Sequence, residues 1–345
     1  MTISPSDLFA DPAYFLYEYD QEYAHFLTMT RANFHRSIFL DGRIRRDGAK
    51  QVRVPLKLLQ EEYHKREPSA TNVGWIFHVA QCGSTLLARA LDNPDENLVL
   101  REPAVLRRLG VSSAPSGQSG MDAARMIPMA RDILGKAFNP SAPVLIKANV
   151  AVNFIANDLM KLDPEAPAVL LYFPLKNYLA AILRTQGHVD WTERVFDELC
   201  LKDSPWAEGT ELVTPAQKGA MLWFAQMKIY ESLLEQFENV RSLHAREIFD
   251  NPAETIVEAS KLFGMEISAR RADDIVASDL FHSYSKNPAL DYDPEVRIAR
   301  EAESLGRLSD DIAEGRKIAE AAVNRFGLPE KFAKALTGDT PLLIS

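Results

Sequence analysis

Short apolar runs alternate with helix-like stretches over most of the chain. Between the runs, apolar positions recur at helical spacing, most clearly over residues 84–91 and 215–237. Strands separated by helices form crossover units, which build a parallel sheet with helices on both faces. The pattern predicts an α/β, three-layer fold with a central parallel sheet flanked by helices. The five apolar runs that we interpret as its strands are residues 75–80, 97–100, 144–147, 168–173 and 240–244.

Two regions flank this alternating part. Phenylalanine and tyrosine recur through residues 1–70, and their spacing predicts a mainly helical segment packed on the core. The charged, turn-forming stretch HKREPSATNVG then marks the start of the main domain, which we assign to residues 71–290. Residues 291–345 are charged and helical in pattern, which predicts a solvated helical tail.

Composition narrows the functional classes. The chain has 345 residues, 39 Lys and Arg against 48 Asp and Glu, and a net charge of -9, which argues against a nucleic-acid binder. Two cysteines without CxxC spacing favour a reducing compartment, and no histidine or cysteine spacing predicts a metal site. The start, MTISPSDLFADPAYF, has no targeting pattern, and no later run predicts a membrane span. We therefore expect a soluble cytoplasmic protein, with an oligomer left open.

The segment WIFHVAQCGSTLLARALD carries the clearest chemical signal. An apolar strand runs into Gln81, Cys82, Gly83, Ser84 and Thr85, and a helix begins at once. Backbone amides at such a turn, a glycine that allows close approach and two hydroxyls suit a phosphate or sulfate. An ordinary strand-to-helix turn with a Ser/Thr cap is the alternative. A Walker A loop is excluded, because His78 stands at its first glycine and Ser84 at its lysine.

These residues resemble the 5′-phosphosulfate loop of PAPS-dependent sulfotransferases, which have a P-loop fold. The segment LVLREPAVLRRL is similar to one in the tyrosylprotein sulfotransferase branch, and the resemblance makes Glu102 the catalytic base. Further on, VRSLHAREIFDNPAETIVEASKLFGM is similar to the strand, turn and helix of the family, with Glu247 at its turn. Together the similar segments cover about residues 75–265.

The nucleotide-binding motifs of the resemblance are incomplete. Gln81 stands where the family usually has Lys or Arg. The segment LYFPLKNYLAAILR has the position of the family's 3′-phosphate motif, but Tyr172 stands in place of its arginine and Ala180 in place of its serine. Lys176 or Arg184 would then supply the missing charge, and Lys286 lies where the family has a late loop over the nucleotide. Trp191, near His188 and Arg194, is a candidate for stacking on a purine or for the core.

The resemblance implies an enzyme that moves a sulfuryl group from PAPS to a hydroxyl or amine, without a metal. Glu102 would take the acceptor proton, and Lys147, at the end of an apolar strand, would offset charge. The loop 81–85 would hold the anion. Two alternatives stay open: an ATP-dependent kinase on the same scaffold, and a non-catalytic nucleotide-binding protein.

Overall fold

The structure is a computed structural model, which describes residues 4–44, 48–67, 72–114, 122–284, 287–291 and 294–344. The N-terminal part contains an antiparallel sheet in the order β1-β2-β3. The segment was predicted to be mainly helical, but it forms three strands beside three short helices, because the aromatic residues of YFLYEY and YAHFLT favour strands. Asp20 closes the hairpin by accepting hydrogen bonds from the amides of Glu22 and Tyr23. The elements are α1 (Asp7–Ala10), β1 (Tyr14–Tyr19), β2 (Tyr23–Thr28), α2 (Arg31–Arg36), β3 (Gln51–Pro55) and α3 (Leu56–His64).

A five-stranded parallel sheet forms the centre of the molecule. Its order is β5-β6-β4-β7-β8, and all four neighbouring pairs are parallel. Its first four strands are buried at every position, as expected for a sheet covered on both faces. The five predicted strands and the α/β fold class are thereby confirmed. The strands are β4 (Val73–His78), β5 (Leu98–Arg101), β6 (Val144–Lys147), β7 (Ala168–Tyr172) and β8 (Val240–His244).

Helices connect these strands and cover the sheet. The longest, α10, begins at a Thr214–Gln217 capping box and ends close to the predicted boundary. Two 3-10 helices, Val150–Ile155 and Leu201–Asp203, supplement the α-helices. The α-helices of this part are α4 (Ser84–Ala90), α5 (Ala104–Ser112), α6 (Ala123–Leu134), α7 (Ala156–Lys161), α8 (Leu175–Ile182), α9 (Gln186–Glu198), α10 (Pro215–Gln236), α11 (Glu247–Asp250), α12 (Pro252–Leu262), α13 (Ala269–Val276) and α14 (Asp279–His282).

The C-terminal part packs on the core. It is helical as predicted, but it is not fully solvated, because α16 buries one face. A Cβ at Gly315 would lie 3.0 Å from the carbonyl oxygen of Ala216, so only glycine allows α16 to approach α10 this closely. Beyond α16, the amide of Leu336 donates a hydrogen bond to the carbonyl oxygen of Ser242 in β8. The elements are β9 (Ser283–Tyr284), β10 (Asn287–Asp291), α15 (Pro294–Arg307) and α16 (Ser309–Phe326).

The N-terminal part is attached to the parallel sheet at β5. The Arg101 guanidinium, only 1% exposed, donates to the carbonyl oxygens of Phe34, His35 and Ser37 and to Asp92. The amide of Leu40 donates to the Arg101 carbonyl oxygen at 2.7 Å. These bonds hold residues 39–43 beside the carboxyl end of the sheet. Among the described residues, the helices are too short or too polar to cross a bilayer.

Candidate functional site

The 81–85 loop joins β4 to α4 through unusual backbone conformations. Gly83 has a φ of +81°, and the non-glycine residue Gln81 has a φ of +61°. A Cβ at Gly83 would lie 2.8 Å from Cζ of Phe249, so a side chain there meets both backbone strain and a ring. Because α4 has only seven residues, the loop and its side chains, rather than the helix dipole, must supply any anion binding.

Thr85 carries an unsatisfied hydroxyl in this loop. Its side chain is 1% exposed, and Oγ1 has no hydrogen-bond partner among the described residues. The residue also lines a cavity of about 560 Å³. Leaving a buried hydroxyl unpaired costs about 1–3 kcal/mol, which an acceptor atom of a ligand would recover. An oxyanion in the cavity would provide such an acceptor.

Glu102 and Lys147 form a buried ion pair beside the loop. Lys147 Nζ lies 2.5 Å from Oε1 of Glu102 and 2.9 Å from Nε2 of His78. Asn149 Nδ2 donates to Oε2 of Glu102 at 3.1 Å. The two charged residues and His78 lie at or just beyond the carboxyl ends of β5, β6 and β4, which are adjacent in the sheet. Open α/β sheets bind ligands at this edge.

The electrostatics of the pair follow from its hydrogen bonds. Val79 O can only accept, so Nδ1 of His78, 2.8 Å away, carries the proton, and Nε2 faces Lys147 as an acceptor. Lys147 and His78 therefore share one positive charge. Burial by itself raises the pKa of Glu102, but the positive charge that Lys147 shares with His78, together with the hydrogen bonds from Lys147 and Asn149, outweighs it and lowers the pKa to about 2. Glu102 also has a φ of +56°, a second strained residue at the site.

Two cavities meet at the loop, and Gln81 and Gly83 line both. The polar cavity, of about 560 Å³, is lined by Phe39, Asp41, Arg43, His78, the 81–85 loop, Glu102, Arg107, Asn149, His188, Trp191 and Arg194, among others. The apolar cavity, of about 160 Å³, is lined by Leu86, Phe173, Asn177, Ala180, Arg184, Phe249, Ser283, Arg297 and Glu301, among others. The loop thus separates two compartments of different chemistry.

The structure distributes the predicted residues unevenly. Glu102, Lys147 and the loop residues Gln81, Gly83, Ser84 and Thr85 come together, whereas the side chain of Cys82 is fully buried. Arg184 lines the apolar cavity, but Lys176 is exposed and is not part of its lining. Tyr172 packs its ring against Phe332 and His244, away from that cavity. Lys286 lies outside the described residues.

Sequence reasoning missed several residues at the site. His78 was considered only as a departure from the Walker A pattern, although it ends β4 beside Lys147. Asn149, two residues beyond Lys147, both caps the 3-10 helix Val150–Ile155 and donates to Glu102. The strand-end position of His78 was the available signal. Phe39 and Arg43 reach the polar cavity from the N-terminal part, and Arg297 reaches the apolar cavity from α15. Among the described residues, no group of three His, Cys, Asp or Glu side chains is arranged to hold a metal ion.

The structure is similar to the crystal structure of a sulfotransferase from Alicyclobacillus acidocaldarius, with a TM-score of 0.37 and 13% sequence identity. The match covers 74% of this chain and 96% of that chain. No protein-family model matches the sequence, and no curated protein matches it. The parallel sheet and its helices show the α/β fold, and the activity has to be argued from the chemistry of the loop and its two cavities.

Proposed function

We propose that the protein is a sulfotransferase-like enzyme that moves a sulfuryl group from PAPS to a hydroxyl or amine. The observation that carries this proposal is the position of the 81–85 loop between two cavities, with an unpaired buried hydroxyl on Thr85 and the Glu102–Lys147 pair beside it. A transfer between two bound molecules needs a compartment for each and an anion-binding group between them. The motif resemblance of residues 75–265 supports the same conclusion.

The polar cavity would hold the acceptor. In the transfer, the acceptor oxygen or nitrogen forms a bond to sulfur while the bond between sulfur and the phosphate oxygen of PAPS breaks. The proton of the acceptor would pass to Glu102, which is ionised near neutral pH but, with a pKa of about 2, is a weak base. The positive charge that Lys147 shares with His78 stabilises negative charge developing next to the loop. Lys147 is fully buried, so little water screens its charge.

The apolar cavity would hold part of the donor nucleotide. Its rings, Phe173 and Phe249, suit a base, and Arg184 supplies a positive charge for a phosphate. Ala180 contributes no hydroxyl, and Tyr172 contributes no charge, so phosphate recognition rests on fewer groups than in the family. A cavity of about 160 Å³ encloses only a fragment of a nucleotide, and the remainder would lie over its mouth.

Calorimetric titration tests this proposal. We expect adenosine 3′,5′-bisphosphate to bind more tightly than ADP, and [35S]PAPS to transfer label to an acceptor in a discovery panel of phenols, alcohols and amines. A Mg²⁺-dependent preference for ADP would contradict sulfuryl transfer and favour the kinase alternative. Binding of neither nucleotide would contradict both and favour a protein without nucleotide chemistry.

A further inference from the structure

One face of α9 borders the polar cavity. His188, Trp191 and Arg194 are spaced three residues apart, and residues at this spacing lie on the same side of a helix. All three line the cavity that also contains Glu102 and the 81–85 loop. The side chains bring an imidazole, an indole and a guanidinium to the wall of one compartment. We call these three residues the α9 face.

Arg194 is the cation of this cavity whose charge is not already balanced. Arg43 pairs with Asp41 at 2.5 Å, and Arg107 pairs with Glu198. Arg194 is exposed and makes no ion pair with any described residue. Both acids of the lining are engaged, Asp41 by Arg43 and Glu102 by Lys147. An anionic group that enters the cavity therefore meets an unpaired guanidinium and no unpaired carboxylate among the described residues.

Aromatic surface is present on two walls of the same cavity. Trp191 is partly buried against the core, which fixes its ring while leaving part of it accessible. Phe39 lines the cavity from the N-terminal part, but it is only 6% exposed and the Arg43 guanidinium covers one face of its ring at 3.6 Å, so Trp191 supplies the accessible aromatic surface. An aromatic acceptor can stack on a ring that is already held in place with little loss of conformational entropy. A volume of about 560 Å³ is in the range of small-molecule sites.

These observations lead us to infer that the acceptor is an aromatic hydroxy acid. Its ring would lie against Trp191, its carboxylate would pair with Arg194, and its hydroxyl would face Glu102. This inference rests on the proposed function for the identity of the reacting group, but the recognition of an aromatic acid stands on the α9 face alone. Ligand binding in the absence of donor therefore tests it separately.

The experiment compares 4-hydroxyphenylacetate with its neutral amide, 4-hydroxyphenylacetamide, by calorimetric titration of the protein without nucleotide. We expect the acid to bind about fivefold more tightly than the amide, the size of one solvent-accessible charge pair. Arg194→Ala should remove the difference by weakening only the acid. Arg270→Ala is the matched control, because Arg270 is an exposed arginine on α13 outside the cavity lining. Trp191→Ala should weaken both ligands.

Each outcome decides the inference. An acid preference that Arg194→Ala abolishes and Arg270→Ala retains, and that shrinks in 0.5 M salt, supports it. Equal binding of acid and amide, no binding of either, or a preference unchanged in Arg194→Ala overturns it. Because no nucleotide is present, an acid preference together with failure of adenosine 3′,5′-bisphosphate to bind would overturn the proposed function and leave the recognition surface standing.

Discussion

The two cavities that meet at the 81–85 loop are built in different ways. The polar cavity contains groups that are already paired, with Glu102 held between Lys147 and Asn149. The apolar cavity has Ala180 and a turned-away Tyr172 where the resemblance leads one to expect a hydroxyl and a guanidinium. The charges beside the polar cavity lie at the ends of strands, whereas those of the apolar cavity, where Glu301 accepts hydrogen bonds from Asn177 and Arg246, lie on or beside helices.

Strand register explains the difference. Lys147 pairs in register with Ile76 of β4 and Arg101 of β5, so the side chains at these strand ends are brought together by the backbone itself. The amide of Glu102 also donates to the Lys147 carbonyl oxygen at 2.8 Å. On the other side, Arg184 follows α8 and Arg297 comes from α15, so the side chains of that cavity depend on helix packing.

The largest effect is expected when the charge of Lys147 is removed from the Glu102–Lys147 pair beside the polar cavity. Lys147→Met leaves Glu102 buried without its cation, and such a loss costs about 3–5 kcal/mol in the free energy of unfolding. We expect that decrease in urea unfolding, together with loss of transferase activity. The double variant Glu102→Gln/Lys147→Met should regain part of the stability and none of the activity. Lys176→Met is the control, since that lysine is exposed. A single variant as stable as the wild type would contradict a coupled pair.

The pH dependence of stability reports on the same interaction between Glu102 and Lys147. The folded pKa of Glu102 is about 2, below its value of about 4.3 in an unfolded chain, so the stabilisation is full above pH 4.3 and is lost as the pH falls towards 2. The difference in unfolding free energy between wild type and Glu102→Gln should be of the order of 3 kcal/mol at pH 7 and should shrink over this window. Chemical unfolding at a series of pH values measures it. Glu258→Gln, in an exposed ion pair, should give a small difference over the same range.

A substitution of Gly83 tests the loop that separates the polar and apolar cavities. Gly83→Ala meets a positive φ and the ring of Phe249, so we expect about 1 kcal/mol of destabilisation and at least about a tenfold loss of affinity for adenosine 3′,5′-bisphosphate. Gly209→Ala is a matched control, because Gly209 has a φ of +73° and no atom within 4 Å of its ideal Cβ. It should lose similar stability and retain full affinity. Equal affinity of both variants would argue against nucleotide binding at the loop.

The smallest effect is expected in the apolar cavity. Arg184→Ala should weaken adenosine 3′,5′-bisphosphate about fivefold and AMP less, if Arg184 faces the 3′-phosphate. Lys176→Ala should leave both affinities unchanged, because Lys176 is exposed and outside the cavity lining. Titration of each variant with both nucleotides measures the difference. An equal loss for the two nucleotides would assign Arg184 to the 5′ side, and no loss would remove it from the site.

Sequence predicted the central fold well, because buried parallel strands are short, nearly continuous apolar runs between helices. The run at residues 144–147 matches β6, and the helix predicted from residue 215 begins there as α10. The N-terminal sheet was missed, since aromatic residues fit a helix face as readily as a strand until the partner strand is known. Phe39 could not be assigned to the site for a related reason: its place depends on bonds from Arg101 to residues 34–37.

The alternation of strands and helices, and the loop with a glycine at residue 83, are encoded locally along the chain. Local patterns carry that information, because apolar periodicity and backbone freedom act over a few residues. The position of Lys147 between Glu102 and His78, and the cavity on each side of the loop, arise only when the chain is folded. Those facts depend on the order and register of distant strands, which long-range packing fixes.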